Sequence, residues 1–505
     1  MTQHMKDIAG LAPTGAAFAE ALLSAIGRAP GGRVAGGCGA VLTHDDMLAR
    51  VAQIRVGMAG LPDGPVAICA AKRPDTIAAV LAVLADGRAY APLDPGHPED
   101  RLTGILDLLR PAALLVDALA EDRLRGWASA AGVALRRLDA LTVRAEPPCP
   151  RPDGGLAALL HTSGSTGVPK QVRIAAPALD QFNAWVRWEF GLRPQDCLLS
   201  HAPLAFDLSF LDIFAGLSVG ASLALADAET ARSGERLLRL IREAGVTVVQ
   251  AAPSALALMV RAAEGQCFPA VRAVLFAGEP MPAPVLRDIF RVFPAARVVN
   301  VYGCTETNDT FFYDVPRADT PDPLPLGRPL PYVCHEVMTE EGHPVPIGEE
   351  GELWVACPTT MEGYSDPALT ARAFGHWQGR RYYRSNDRVR LGEDGLMHFL
   401  GRADSVQKIS GHRVDLAEVE AHLARLPGVV ELAVYVVRRG DEAQLECAVA
   451  TDGRALGSLD LRRHAMTALP APAIPRRYAI SAQPLPKNSN GKICRRMLAS
   501  LALAV

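Results

Sequence analysis

VTVVQ at residues 246–250 is the first of three apolar runs that decide the fold; VRAVLF follows at 271–276 and RVVNVY at 297–302. The runs are rich in β-branched residues, which favours strands. The segments between them, Ser254 to Glu264 and Ala283 to Phe293, carry apolar residues three or four apart, as helices do. Strands that alternate with amphipathic helices are typical of a parallel sheet covered by helices. The sequence therefore predicts an α/β fold.

The pattern extends in both directions from this stretch. Upstream, Val66–Ala70 reads as a strand and Pro74–Ala85 as a helix, which repeats the βα unit. After about Asp404 the texture changes to a small α+β arrangement, with helices at Leu416–Leu426 and from Leu459, and β-like runs at 430–437 and 444–451. We expect a large N-terminal domain with helix-covered sheets at 1–403 and a small C-terminal domain at 404–505. Segments 145–155 and 317–331, rich in Pro, Gly or Asp, should be surface connections.

The composition excludes several classes of protein. Lys plus Arg number 52 and Asp plus Glu 55, a net charge of −3, so the basic excess that nucleic-acid binding exploits is missing. The first residues lack a basic segment followed by an apolar one, and no apolar run approaches 18 residues, so we expect a soluble cytoplasmic protein that does not bind membranes. Ten scattered cysteines without a Cys-x-x-Cys pair predict reduced thiols, with neither a zinc site nor a disulfide framework.

A loop dense in glycine and hydroxyl groups, TSGSTGVPK at Thr162–Lys170, suits a polyphosphate. Its glycines let backbone amides approach anionic oxygens, and its lysine adds positive charge. A surface turn of the same composition is the alternative. The loop is not a Walker loop, because Gln171 follows Lys170 where that motif has Ser or Thr.

This loop and the motifs around it resemble those of the adenylate-forming enzymes, the superfamily of acyl-CoA ligases, luciferases and adenylation domains of non-ribosomal peptide synthetases. The matching segments occur in family order: ADGRAYAPLDP at 85–95, FDLS at 206–209, NVYGCTE at 300–306, YRSND at 383–387, GRAD at 401–404, KISG at 408–411 and NGK at 490–492. Within this superfamily, FDLSFLDIF at 206–214 and ETNDTFFYDV at 306–315 are similar to the stand-alone D-alanyl and prolyl carrier-protein ligases.

The resemblance implies two half-reactions. ATP, with Mg²⁺, activates an amino acid as its aminoacyl-adenylate, and the phosphopantetheine thiol of a carrier protein then takes the aminoacyl group. Because nothing after Leu498 resembles a carrier domain, the carrier should be a separate polypeptide. The C-terminal domain would rotate between the two steps, with Asp404 at the hinge; an ordinary turn residue in a linker is compatible with that role.

The resemblance also assigns roles around the nucleotide. Glu306 would bind Mg²⁺, Thr305 would contact the α-phosphate, and Tyr302 would stack on adenine. Lys492 is the expected catalytic lysine; Lys487 competes for that role but matches no fixed family position. The remaining nucleotide-binding residues would be Thr162, Ser163, Gly164, Ser165, Thr166, Gly167 and Lys170 at the β- and γ-phosphates, Gly278, Glu279 and Pro280 along the purine, Asn300, Asp387 at the ribose, and Arg402 beside it.

On the substrate side, Asp207 occupies the position that holds the α-ammonium in amino-acid-specific members. A buried carboxylate needs a partner, and an ammonium provides one. The alternative is that Asp207 only caps a helix begun near Leu208. The pocket should be lined by Asp207, Leu208, Leu211, Gln250, Leu275, Ala277, Val301, Asp309 and Thr310, with Lys492 at the carboxylate end.

The three leucines predict a small substrate, because a ring forced into a filled pocket costs packing energy. Asp309 replaces the apolar residue of prolyl-type relatives, so it either binds a second amine or hydroxyl or points to solvent or a protein partner. We therefore expect a small polar or diamino acid, with glycine, alanine or proline as the alternative.

Two other functions are alternatives to amino-acid activation. An acyl-CoA ligase is the nearest rival enzyme, against which Asp207 argues, and a non-enzymatic accessory module would show degraded motifs.

The sequence departs from the family motifs at several positions, with Ser385-Asn386 for the usual Thr-Gly, Gln171 for Gly, Cys304 for Pro and Ser410 for Arg. None removes a required charge, so they bear on rate and loop conformation more than on reaction type.

Overall fold

The computed structural model describes residues 15–37, 39–143, 145–146, 155–162, 169–402, 406–440, 442–451, 456–486, 493 and 495–503. The chain forms two compact units that do not follow the order of the sequence. The first comprises the described parts of Met1–Pro95, Leu109–His161 and Gln171–Gly401. The second comprises those of Gly96–Leu108, Thr162–Lys170 and Arg402–Val505.

Sheet A of the first unit has nine strands within the described residues, and its centre is parallel. The three apolar runs of the sequence form neighbouring strands of this sheet, which confirms the predicted βα architecture. In spatial order the strands are Arg328–Pro329, Asn308–Asp314, Arg297–Cys304, Ala273–Ala277, Val248–Ala251, Cys197–Ser200, Ser222–Leu225, Arg33–Gly36 and Val41–Thr43.

Sheet B has seven strands within the described residues, and its middle is parallel. Val66–Cys69 lies at its centre and is buried throughout, as its unbroken apolar run predicts. In spatial order the strands are Gly363–Tyr364, Lys170–Ala175, Leu156–Thr162, Tyr90–Leu93, Val66–Cys69, Ala113–Val116 and Ala134–Arg137.

Helices cover these sheets because their apolar faces need a partner. Pro74–Ala85 begins with proline, whose fixed φ suits the first helical turn, and is buried along its whole length, whereas Gly234–Ala244 buries only one face. A π-helical turn at Leu211–Ala215 precedes a short helix, Gly216–Ser218. The other helices of this unit are Gly15–Gly27, His44–Gly57, Ala118–Ala131, Ala176–Phe190, Pro253–Ala262, Ala283–Val292 and Pro367–Ala373, with 3₁₀ turns at Leu138–Ala140 and Thr230–Arg232.

Sheet C completes the first unit and is antiparallel where its register is defined. Its strands are Cys334–Met338, Glu350–Ala356, Arg380–Leu391, Phe374–Trp377 and Met397–Arg402, the last paired with Arg380–Leu391. The predicted connection at 317–331 differs from the structure in one respect, because Arg328–Pro329 adds a short strand to the edge of sheet A. Most of the predicted connection at 145–155 lies outside the described residues.

The second unit has the small α+β texture that the sequence predicts. A long hairpin, Val429–Arg439 with Glu442–Thr451, pairs in parallel with Arg477–Ser481. The helices Leu416–Leu423 and Ser458–Ala468 pack on it through Leu423, Leu461 and Ala465, each fully buried. Its other elements are a two-stranded ribbon, Val406–Ile409 with His412–Asp415, a 3₁₀ turn at Ala471–Ala473, the helix Arg495–Leu503, and most of the helix Glu99–Leu109.

The structure also bears on membrane insertion. Of the helices in the described part of the chain, none is both long and apolar enough to cross a bilayer.

Candidate active site

Tyr302 and Asp387, both assigned to the nucleotide by resemblance, are joined directly. The phenol of Tyr302, near the carboxyl end of Arg297–Cys304, donates a hydrogen bond to Oδ2 of Asp387 on sheet C. Asp387 is only 4% exposed. The ring and the carboxylate expected at the adenine and the ribose therefore form one cluster.

Two departures from the family pattern have a structural explanation next to Asp387. The Ser385 hydroxyl donates to the carbonyl of Leu353 at 2.7 Å and accepts from the Asp387 amide at 3.0 Å. Asn386 has φ of +58°, in the left-handed region that glycine adopts readily and that asparagine tolerates. Serine and asparagine thus meet the bonding and backbone requirements of this turn.

Glu306, the expected metal ligand, is fully buried. The phenol of Tyr364, on the edge strand of sheet B, donates to its Oε1 at 2.8 Å, and the amide of Met361 donates to its backbone carbonyl at 2.8 Å. Thr305, beside it, is half-buried. One segment, 361–364, therefore contacts both the carboxylate and the backbone of Glu306.

The three residues expected along the purine follow one strand of sheet A, and Asn300 lies within the neighbouring strand. Gly278 follows Ala273–Ala277 with φ of +95°, a conformation that suits glycine. The Glu279 carboxylate accepts from the amide of Ser254 at 3.0 Å and so caps the helix Pro253–Ala262, while Pro280 follows it. Asn300 is buried, and its amide donates to the carbonyl of Pro325 at 2.8 Å.

The expected amino-acid pocket is brought together on one face of sheet A. Gln250 lies opposite Leu275 in the parallel register, and Ala277 lies opposite Val301. Leu211 packs into the same apolar cluster as Leu275, Ala277 and Val301, with half-buried Leu208 against it. All of these residues except Leu208 are at most 5% exposed.

Three polar side chains of this predicted pocket are buried. Asp309 is 8% exposed, which disfavours the alternative that it points to solvent. It lies near Tyr332, whose pKa is raised by burial and by the neighbouring charges of Cys357 and Asp309. The Oε1 atom of Gln250 is buried without a hydrogen-bond partner among the described residues. Thr310 is buried and donates to the carbonyl of Tyr302 at 3.2 Å.

Asp207 lies in the turn immediately before the helical segment that begins at Ser209. It is half-buried, and its backbone carbonyl accepts from the Phe210 amide at 2.9 Å. This position is compatible with both capping and ammonium binding.

Several predicted residues lie in the second unit or outside the described residues. Thr162 and Lys170, which border the phosphate loop, and Arg402 are half-buried and belong to the second unit. Residues outside the description are Ser163, Gly164, Ser165, Thr166, Gly167, Asp404, Lys487 and Lys492.

Comparison with known proteins decides the family. The sequence profile described as "AMP-binding enzyme" matches residues 24–365. The chain belongs to this family of AMP-binding enzymes. It is therefore an enzyme of the adenylate-forming superfamily, as its motifs predict, and the alternative of a non-enzymatic module is dropped.

Named relatives of this AMP-binding enzyme share most of its length. It is 34% identical to the L-proline–[L-prolyl-carrier protein] ligase of Streptomyces coelicolor, covering 90% of this chain and 91% of that protein. The ligase of the same name from Pseudomonas fluorescens is also 34% identical, over 85% and 87% of the two chains. The adenylation domain AlmE of Vibrio cholerae, solved with glycyl-adenosine-5'-phosphate, has a TM-score of 0.84 at 21% identity, over 97% and 98% of the chains.

The structure of this AMP-binding enzyme adds residues to which sequence reasoning gave no role in the site. Tyr364 is one, because its contact with Glu306 joins residues 58 positions apart. Lys72 and Asp212 are two more: both are buried, their charges influence each other, and neither belongs to the residues that the motifs assign to substrate or nucleotide. No short sequence pattern links these partners.

The donor set around Glu306 is compatible with Mg²⁺. Mg²⁺ in nucleotide-dependent enzymes is commonly held by one or two carboxylates together with substrate phosphates. Glu306 supplies one carboxylate, and no cluster of three or more His, Cys, Asp or Glu side chains occurs among the described residues. The site therefore fits an ion shared with ATP better than an ion held by protein ligands alone.

Proposed function

We propose that this enzyme activates a small amino acid with ATP and loads it onto the phosphopantetheine thiol of a separate carrier protein. One observation carries the proposal. Val301 belongs to the buried cluster expected to line the amino-acid pocket, and the next residue, Tyr302, donates a hydrogen bond to Asp387, which is expected at the ribose. Carboxylate and α-phosphate would thus meet at one end of a single strand, which is where the first half-reaction needs them.

The relatives support the second half-reaction. Two of them are named as ligases that join an amino acid to a carrier protein, and the enzyme covers about nine tenths of each. An acyl-CoA ligase is the less favoured alternative, because Asp207 gives this pocket a carboxylate that a fatty acid cannot pair with.

In the first half-reaction, a substrate carboxylate oxygen bonds to the α-phosphorus of ATP and the bond to the β-phosphate oxygen breaks. Aminoacyl-adenylate and pyrophosphate result. In the second, the carrier thiol loses its proton and attacks the acyl carbon, and AMP leaves. Both reacting groups of the first step are anionic, so positioning and positive charge dominate catalysis.

The chain's own residues would divide this work. Asp207 would pair with the α-ammonium, Asp387 would accept the ribose hydroxyls, and Lys170 and Lys492 would offset the negative charge of carboxylate and phosphates. Glu306 would hold Mg²⁺, which supplies charge neutralisation of the phosphates when bound. Asp404 would serve as the hinge between a domain at 1–403 and one at 404–505.

For the substrate, we favour a small amino acid with a polar or second amino group. The buried Oε1 of Gln250, which has no hydrogen-bond partner among the described residues, supports a substrate side chain that donates a hydrogen bond, because buried acceptors are normally paired. Asp309, which is also buried, would offer such a side chain a carboxylate. Glycine, alanine or proline is the alternative, with Asp309 satisfied inside the protein; the names of the prolyl relatives support it.

Pyrophosphate exchange into ATP tests the proposed reaction. The full-length enzyme should catalyse exchange with one or a few small amino acids, proteinogenic or not, and an Asp207→Asn variant should lose most of this activity. Activity on fatty acids with CoA, and none on any amino acid, would replace the assignment by an acyl-CoA ligase.

An Asp309→Val variant tests the substrate hypothesis. If the substrate side chain donates a hydrogen bond to Asp309, the variant should shift its substrate preference toward apolar amino acids such as proline. Thr310→Val, at the next and equally buried position, is the control and should shift preference less. Unchanged preference in Asp309→Val rules out the polar-substrate hypothesis and leaves the small apolar alternative.

A further inference from the structure

Lys72 connects the two large sheets of the first unit at the start of the loop that contains Asp207. It follows Val66–Cys69 at the centre of sheet B, and its ammonium donates to the carbonyls of Ser200 and Ala202, both at 2.7 Å. Ser200 is the last residue of the strand Cys197–Ser200 in sheet A. The lysine thus fixes the point at which this strand passes into the loop that contains Asp207.

Asp212 completes the cluster from the other end of that loop. It is 2% exposed and belongs to the π-helical turn Leu211–Ala215. Burial raises the pKa of its carboxyl, while the charge of Lys72 and a hydrogen bond from Ser200 oppose the increase. Burial likewise lowers the pKa of Lys72, opposed by the charges of Asp212 and Asp227.

The chain between these two anchors holds the substrate-facing residues. Asp207 and Leu208 lie between Ala202 and Asp212, and Leu211 is adjacent to Asp212. A displacement at either anchor would move the Asp207 carboxylate relative to the pocket face of sheet A. Small errors in the placement of binding groups reduce catalysis by large factors.

We propose that Lys72, together with Asp212, is a positioning residue that sets the Asp207 carboxylate for the substrate's α-ammonium. The inference rests on the proposed amino-acid activation. Stability alone does not account for two buried opposite charges here, because apolar residues of similar volume often stabilise a protein as well or better. A lysine that joins two sheets at one end of the loop, with an opposite charge at the other end, gives a defined loop geometry instead.

The effect on the amino acid should be separable from the effect on ATP. A Lys72→Met variant should raise the KM for the amino acid in pyrophosphate exchange about tenfold or more, with the KM for ATP changed less than about twofold. Lys72→Arg, which keeps the charge and the donors, should recover part of the loss.

A double-mutant cycle with Asp207→Asn tests whether Lys72 acts through Asp207. Adding Lys72→Met to Asp207→Asn should cost little further activity, because the carboxylate that Lys72 positions is already absent. If the activity of the double variant falls by the product of the two single losses, the two residues act independently and the proposal is overturned.

Arg88→Met is the matched control. Arg88 is a buried cation next to sheet B that pairs with Asp86 and donates to the carbonyls of Pro62 and Gly64 at 2.7 and 3.0 Å. Its loss should lower the melting temperature without a selective rise in the amino-acid KM. If Arg88→Met and Lys72→Met raise that KM equally, the role of Lys72 is structural only and the proposal fails.

If Lys72→Met does not fold, the double variant Lys72→Met with Asp212→Leu replaces it, because that variant removes both buried charges. It should still show the raised KM for the amino acid. A KM equal to that of the wild type would overturn the positioning role. Failure of the proposed function is a different result, since wild-type enzyme would then give no exchange with any amino acid.

Discussion

At the scale of single residues, Asn386 shows how a departure from the family pattern keeps a site intact. The turn before Asp387 needs a left-handed residue, and Asn386 provides it at φ of +58°. The backbone amide of Asn386 also donates to the Glu352 carboxylate at 3.1 Å. The position is therefore constrained by backbone conformation, and the side chain can differ from that of the relatives.

Asn386→Val should lower the free energy of unfolding by about 1–2 kcal/mol, because a β-branched residue is strained in the left-handed region. It should also raise the KM for ATP, since Asp387 is the next residue, whereas Asn386→Gly should preserve both quantities. Urea denaturation and exchange kinetics measure them.

Gln378→Val is the control for this prediction. Gln378 is an exposed residue with φ of +48° in a turn of sheet C, away from Asp387 along the chain. The variant should lose stability to a similar extent with an unchanged KM for ATP. A normal KM for ATP in Asn386→Val would mean that the turn does not control Asp387.

Single residues also mark the limit of prediction from sequence. Tyr302 and Asp387 could be found because each lies in a family motif, although their hydrogen bond could not. Lys72 and its acceptor Ser200 are 128 positions apart, and only the fold brings sheet B to the end of a strand in sheet A. Such partners follow from topology rather than from local pattern.

At the scale of elements, Asp196 links the start of the strand Cys197–Ser200 to Thr247 and Arg272, which precede two other strands of sheet A. It precedes the strand Cys197–Ser200 and accepts from Thr247 at 2.7 Å and from Arg272 at 2.9 and 2.7 Å. Burial would raise the pKa of its carboxyl, but the hydrogen bonds from Arg272 and Thr247 outweigh burial and lower the pKa below its ordinary value.

Asp196→Asn should lower the free energy of unfolding at neutral pH by about 2–3 kcal/mol, because it leaves the Arg272 guanidinium without its charged partner. The pKa of Asp196 is lower in the folded state, so its stabilisation is present above the unfolded pKa and is lost as pH falls toward the folded value.

Denaturation at a series of pH values below neutrality measures this effect. The wild-type enzyme should lose more stability between pH 7 and acid than Asp196→Asn does. Asp139→Asn, in a pair with Arg137 whose side chains are 40% and 61% exposed, is the control and should behave as wild type. Parallel stability curves for wild type and Asp196→Asn would contradict the prediction.

The elements that sequence predicts best are those buried on both faces. Ala273–Ala277 is buried throughout and reads as an unbroken apolar run. Arg477–Ser481 was missed, because it is largely exposed and shows no alternation of apolar and polar residues. It becomes a strand only through its parallel pairing with Glu442–Thr451, a tertiary contact that local propensity does not encode.

At the scale of the whole molecule, the compact units are not continuous in sequence. The helix Glu99–Leu109 lies within the N-terminal part of the chain, yet all but its last residue belong to the second unit. In this unit Arg101 donates to Glu418 at 2.8 Å, and the two side chains are 10% and 7% exposed. A boundary drawn along the sequence, such as the predicted one after residue 403, cannot express this grouping.

Arg101→Met should remove the guanidinium that pairs with the buried Glu418 carboxylate, and breaking a buried ion pair in this way is strongly destabilising. We expect faster amide hydrogen exchange in the helices Glu99–Leu109 and Leu416–Leu423, with unchanged exchange in Ala283–Val292 of the first unit. Mass spectrometry of exchanged peptides measures each helix separately. Arg125→Met is the control and should leave all three unchanged, because the Arg125 side chain, which pairs with Glu121, is 66% exposed.

The grouping of Arg101 with Glu418 matters for recombining this enzyme with its relatives. A chimera that exchanges only the stretch after Gly401 would give Arg101 a foreign neighbour in place of Glu418. Residues 96–108 should therefore be transferred together with the C-terminal stretch. Crossover points chosen in this way follow the contacts of the second unit rather than the order of the gene.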